Sequence, residues 1–216
     1  MSKVLAHISI SLDGYVAGPN QSMEEPLGVG GEGLHEWVVA LKQWREPHGM
    51  TGGEENASSA VMADDLADVG AEIMGRGKFG PAGRGPWGAD PWQGWWGDSP
   101  PFHKPVFVLT HHERGPLTLS DTTFTFVTDG IEAALAQARA VAGDNDVYIG
   151  GGANVINQYL AAGLVDELEL SIVPIVLGGG ARLFDGVGSD LKLELLRAVE
   201  APGVTHIKYR VTRSQQ

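Results

Sequence analysis

Two short apolar runs, Ala71–Met74 and Asp146–Ile149, each end in glycines and continue at once as a helical pattern. The first passes into Gly75-Arg76-Gly77-Lys78-Phe79-Gly80, the second into Gly150-Gly151-Gly152-Ala153-Asn154. A strand that yields to a helix this abruptly needs a turn with few Cβ atoms. Parallel strands in turn need crossover helices, so repeated strand–helix units imply a parallel sheet. Periodicity predicts further strands at Val4–Leu12, Val106–Thr110, Thr123–Thr128, Leu168–Leu177, Leu191–Val199 and Val204–Thr212. Helices are expected over Leu34–Trp44, Met62–Val69, Ile131–Ala142 and Ala153–Ala162, with Pro47 after the first, Asp129 capping the third and Gly163 closing the fourth. The chain reads as α/β: a mostly parallel central sheet flanked by helices, with antiparallel C-terminal strands. One domain spans 1–216, with a mobile loop near 48–60 and a Trp-rich loop near 81–105.

Both glycine turns open helices, where free backbone N–H groups and the positive dipole end suit an anion. Arg76 and Lys78 add charge to the first, and the glycines at 150–152 let a pyrophosphate approach the second. Two such starts on parallel strands fit one dinucleotide. The same Gly-x-Gly-x-x-Gly pattern at Gly28–Gly33 and Gly83–Gly88 lies in loops and reads as turns. Asp90 and Asp98 lie in the Trp-rich loop and do not end a second strand, as a Rossmann ribose-binding acid would.

Composition narrows the function. The net charge of −12 disfavours nucleic acid, which needs a basic face. Cysteine is absent, excluding zinc ribbons, iron–sulfur clusters and a thiol nucleophile. His35-Glu36 is followed by Val39 where a zinc protease needs its second histidine, so no metal site is expected. Residues 1–7 lack the apolar run of a signal peptide and no stretch could span a membrane, so a cytoplasmic protein is expected. Four of the six tryptophans (87, 92, 95 and 96) cluster in the 81–105 loop, either as a wall over a flat ligand or as packing at a core or subunit interface.

Ser9-Ile10-Ser11-Leu12-Asp13-Gly14-Tyr15-Val16-Ala17-Gly18, Met74-Gly75-Arg76, Ile149–Gly152, Gly163–Leu168, Pro174–Gly180 and Arg182-Leu183-Phe184 occur in that order. Together they resemble the dihydrofolate-reductase-like superfamily, and within it stand-alone relatives of the C-terminal reductase domain of the bifunctional riboflavin deaminase–reductase. The resemblance implies a dihydrofolate-reductase-like fold, NADPH as cofactor, hydride transfer to a pyrimidine- or pteridine-like heterocycle, and a homodimer. It places Arg76 near the 2′-phosphate, Thr110 and His111 at the adenosine half, Gly150–Asn154 under the pyrophosphate, and Val16 and Ala17 beside the nicotinamide. Gly75, Gly77 and Lys78 complete the cofactor set. The family's reductases carry a glutamate just before these glycines, where this chain has Gly150. Hydride transfer also needs a proton source; the candidates are Asp13, after the first strand, and Glu36, on the first helix. Asp13, Trp37 and Ser171 are the expected substrate contacts.

Overall fold

The computed structural model describes residues 2–80, 85–89 and 91–213; Asp90 and the start of the Gly83–Gly88 pattern fall outside them. In chain order the strands are β1 (Val4–Ser11), β2 (Tyr15–Ala17), β3 (Val69–Gly75), β4 (Val106–Leu109), β5 (Leu117–Leu119), β6 (Thr122–Val127), β7 (Asp146–Ile149), β8 (Glu167–Val173), β9 (Ala181–Arg182), β10 (Leu191–Ala201) and β11 (Val204–Arg213). The α-helices are α1 (Glu36–Val39), α2 (Lys42–Arg45), α3 (Ala57–Leu66), α4 (Arg76–Phe79), α5 (Ile131–Ala142) and α6 (Ala153–Ala161). The main sheet has the order β10-β11-β8-β1-β7-β3-β4-β6-β5, and β2 pairs with β9 in a separate ribbon. Strands β8, β1, β7, β3, β4 and β6 run parallel; β10, β11 and β5 are antiparallel to their neighbours.

The period of two along β1 divides its side chains between faces. Val4, Ala6 and Ile10 are buried in a core with Ala134, Leu135 and Ala138 of α5 and Ile156, Tyr159 and Leu160 of α6. Ile156 and Leu160 are fully buried, each contributing about 1.5–3 kcal/mol. The opposite face presents His7, Ser9 and Ser11, all buried. Polar groups sealed from water need partners. His7 Nδ1 lies 3.0 Å from Asp65 Oδ2 on α3, and Trp37 Nε1 donates to Ser9 Oγ at 3.1 Å.

The helix expected over Leu34–Trp44 is broken. Leu41, fully buried, is extended (φ −73°, ψ 140°) between α1 and α2. Lys42 N–H donates to Glu54 O at 3.0 Å and Glu54 N–H to Ala40 O at 2.8 Å. The returning chain therefore takes backbone groups that a continuous helix would use itself. The helix expected at Met62 starts at Ala57, inside the 48–60 segment, because Asn56 accepts from Ser58 N–H while Ser59 Oγ accepts from Asn56 N–H. Asp129 does not cap α5: Gly130 (φ 90°) holds the cap position, with no side-chain cap bond. Strand β8 stops at Val173, before Pro174. Trp87, Trp92, Trp96 and Phe102 of the Trp-rich segment pack on Phe79, Phe124 and Met74, forming a separate apolar cluster beside β4 and β6.

Candidate functional site

In open α/β sheets ligands bind beyond the carboxyl ends of the parallel strands. Here Leu12, Gly75, Thr110 and Gly150 all follow or close such ends. The two glycine turns meet there: Gly75 N–H donates to Gly151 O at 2.8 Å, and Gly150 N–H to Ile73 O at 2.9 Å. Gly151 has φ 95°, a conformation that L side chains rarely adopt. A Cβ on Gly77 or Gly152 would meet no atom within 4 Å, so both turns are open on their outer side. The bare outer sides of Gly77 and Gly152, the backbone N–H groups at the start of α6 and the cations Arg76 and Lys78 are the kind of groups that could hold a phosphorylated ligand.

Each turn is stiffened from behind. Lys78 Nζ forms an ion pair with Glu72 Oε1 at 2.9 Å, and Glu72 is buried. Arg76 Nη1 donates to Gly85 O at 2.7 Å, and its guanidinium stacks on Trp87, 3.9 Å from the ring centroid. Thr110 is buried; its Oγ1 accepts from His112 N–H at 3.2 Å, while His111 is exposed. Asn154 is exposed and its Oδ1 accepts from Gln158 Nε2 at 2.6 Å; Ala153 is buried. Val16 and Ala17 are buried in β2, where Tyr15 and Ala17 pair with β9.

Of the expected catalytic and substrate residues, Trp37 and Ser171 meet at His206, whose ring centroid is 4.8 Å from that of Trp37 and whose Nδ1 is 2.8 Å from Ser171 Oγ. Asp13 is a clamp. Its carboxylate accepts from Ser11 Oγ at 2.6 Å, Leu177 N–H at 3.1 Å and Gly178 N–H at 2.7 Å. The Ser11 hydroxyl first of all lowers its pKa to about 2; burial opposes this, and the backbone donors of Leu177 and Gly178 add to the lowering. It is an acceptor at neutral pH, which does not suit a proton source. Glu36 is exposed on α1. Ser171 is fully buried, with Oγ 2.6 Å from His7 Nε2 and 2.8 Å from His206 Nδ1, and offers a ligand no surface. Trp37 is buried against Leu34, Leu41 and Val173.

Among the described residues, no group of three or more His, Asp or Glu side chains could hold a metal ion.

Residues 2–207 match the family described as RibD C-terminal domain. The chain belongs to that family. The uncharacterized protein YwjB of Bacillus subtilis (strain 168) is 32% identical over 92 residues, which are 43% of this chain and 51% of that one. The chain spans about half the length of the curated relatives it matches. Its fold is similar to that of a putative riboflavin biosynthesis protein from Shewanella sp. PV-4 (TM-score 0.63, 23% identity, 98% of this chain and 99% of that one). It is also similar to dihydrofolate reductase from Enterococcus faecalis complexed with NADP(H) (TM-score 0.53, 14% identity, 99% and 97%). The fold is thus dihydrofolate-reductase-like, with an antiparallel C-terminal extension of the sheet.

For this member of the family, the residues that no sequence pattern singled out are Glu72, Asp65, His206 and Asn157. Glu72 and Asp65 face the polar side of the sheet, and only register places them there: Glu72 is opposite Tyr148 on β7, and Asp65 comes from α3. His35 is also close to the first turn. Among the described residues its Nδ1 is sealed without a hydrogen-bond partner; burial lowers its pKa, the Gly31 backbone opposes this, and Lys78 adds a smaller push downwards.

Proposed function

We propose that this protein is an NADPH-dependent reductase transferring a hydride to a pyrimidine- or pteridine-like heterocycle, of the 5-amino-6-(5-phosphoribosylamino)uracil reductase type. The observation that carries this reading is the hydrogen bond between Gly75 and Gly151, which joins two open glycine turns into one strip flanked by Arg76 and Lys78. Membership of the RibD C-terminal domain family and the NADP(H)-bound fold neighbour support it. On this reading Gly150–Asn154 and Gly75–Gly77 hold the diphosphate, Arg76 meets the 2′-phosphate, and Thr110 and His111 border the adenosine. Val16 and Ala17 flank the nicotinamide. The bound cofactor supplies the hydride. The chain supplies orientation and a proton, and Lys78 Nζ, rather than Asp13 or Glu36, is the proton source. It is the ammonium beside Gly150, with Glu72 holding it in place.

Titration with NADPH and, separately, NADH, followed by tryptophan fluorescence and calorimetry, tests the cofactor. Saturable binding that favours NADPH is expected; binding of neither overturns the reading. NADPH oxidation in the presence of the aminouracil substrate or dihydrofolate then tests the acceptor.

A second reading is a nucleotide-binding protein without turnover. The sealed Ser171, clamped Asp13 and side-chain-free Gly150 favour it. NADPH binding with no oxidation by any pterin or pyrimidine would select it.

A cytoplasmic homodimer accompanies the main reading. The terminal strand β10 leaves Leu193, Leu195 and Leu196 exposed, and an open apolar edge is a pairing surface. No helix of the described residues is long and apolar enough to cross a membrane. Light scattering should give twice the 22.9 kDa chain mass.

A further inference from the structure

Asn157 stands in the middle of α6, outside the motifs of the sequence. It is buried, and both ends of its amide are bonded to one short stretch of chain. Its Nδ2 donates to Arg182 O at 3.0 Å, and its Oδ1 accepts from Phe184 N–H at 2.7 Å. Leu183, between those two residues, donates its own N–H to Gly14 O at 3.0 Å. Residues 182–184 are therefore gripped by α6 through one set of backbone groups and by the chain entering β2 through the other.

An asparagine inside a helix is a poor helix former, because its amide competes for backbone bonds. Here the amide serves the tertiary structure instead, offering one donor and one acceptor as a neighbouring strand would. Phe184 supplies a second observation. Its φ is 70°, which a bulky side chain rarely adopts and keeps only where its surroundings over-determine it. The bond to Asn157 and the packing of Phe184 on the main core do so. Strained residues of this kind gather where a ligand is clamped. The segment they fix carries β9, which pairs with β2 in a ribbon of its own, Tyr15 opposite Arg182 and Ala17 opposite Ala181. Two such short strands are marginally stable by themselves. Asn157 fastens them to α6, the helix that opens on the glycine turn ending at Gly152.

We propose that Asn157 is a positioning residue that sets the nicotinamide ring at a fixed place relative to the diphosphate. It ties Val16 and Ala17, the wall beside the ring, to the helix whose first turn holds the diphosphate. The proposal rests on the dinucleotide reading above. Hydride transfer needs its reacting atoms roughly 3–3.5 Å apart, so a wall that shifts loosens the ring even where the adenosine half stays bound.

The test compares wild type with Asn157→Ala, with the milder Asn157→Ser, which decides alone if the alanine variant does not fold, and with Val204→Ala. The last lowers stability in the separate cluster around Leu34 and Trp37. Melting ranks the stabilities. The nicotinamide emission of NADPH, titrated onto each protein, gives a Kd and, at saturation, an anisotropy that reports how firmly the ring is held. Calorimetry gives the Kd of adenosine 2′,5′-bisphosphate, which has no nicotinamide. Asn157→Ala should weaken NADPH about tenfold, the scale of one lost hydrogen bond, lower the anisotropy, and leave the bisphosphate within about twofold. Asn157→Ser should fall between. Val204→Ala should keep the wild-type anisotropy despite its lower melting temperature. Wild-type anisotropy in the Asn157 variants, or an equal fall in Val204→Ala, overturns the positioning role and leaves the cofactor reading standing. If wild type binds no NADPH, the cofactor reading fails and the proposal fails with it.

Discussion

The carboxylate of Glu72 fills the space that a side chain on Gly150 would need. A Cβ at residue 150 would collide with Glu72 Oε1 and come within 2.6 Å of Lys78 Nζ. Glu72 stands opposite Tyr148, two residues before Gly150, so the strand period puts the Glu72 side chain and the bare Gly150 position on one face. A carboxylate therefore reaches this point of the cleft from the neighbouring strand.

Gly150→Ala should displace the Glu72–Lys78 pair and cost about 1–3 kcal/mol, the usual price of overpacking. Urea unfolding measures it. A variant as stable as wild type would mean that the carboxylate moves aside freely.

Lys78→Met keeps the length of the side chain and removes the proton. If Lys78 Nζ is the proton source, kcat should fall about 10²-fold or more, while the Kd for NADPH rises far less. A loss confined to cofactor affinity would make Lys78 a phosphate ligand only.

His206 is held neutral. Burial first, then His7, lowers its pKa from 6.5 to about 4; Asp65 opposes and Arg197 adds a smaller push. The unfolded chain binds the proton more readily, so this contribution to stability is complete above pH 6.5 and is lost as pH falls from there towards 4. Melting temperature should drop through that window. The slope should be shallower in His206→Asn, even though that variant is less stable throughout. Equal slopes would assign the acid sensitivity to other groups.

Asp13→Asn weakens the clamp on the loop after β8. Because its folded pKa, about 2, lies below the unfolded value, 3.8, the clamp's contribution is present above pH 3.8 and is lost between there and 2. At neutral pH the variant should show faster hydrogen exchange at the Leu177 and Gly178 amides, the two that donate to the carboxylate. Unchanged protection would mean that Gly178–Gly180 holds its turn without Asp13.

Long periodic elements were legible in the chain. Helix α5 matches the predicted 131–142 and β7 the predicted 146–149, because strong 3.6- and 2-residue patterns state their own burial. The break at Leu41 was not, since it depends on the bonds that its neighbours Ala40 and Lys42 make to Glu54, on the returning chain. The start of α3 carried a signal, Asn56 with Ser58 and Ser59, but lies in a polar stretch where hydrophobic spacing is silent.

The candidate site divides the same way. The two glycine turns are local, because a strand ending in glycines before a helix specifies its own geometry. Their adjacency through Gly75 and Gly151 is a matter of strand order, β7 beside β3, which no local pattern encodes. Ser171 looked reachable from its strand, yet His7 of β1 and His206 of β11 close over it. Glu72 and Asn157 carry no motif and acquire meaning only from what register and loop packing bring against them. The sequence by itself determined the fold class, the acidic, cysteine-free character and the two open glycine turns, because these follow from composition and short-range periodicity. Only the tertiary structure decided which charges meet, because side-chain contacts depend on strand order and on chains that return from far along the sequence.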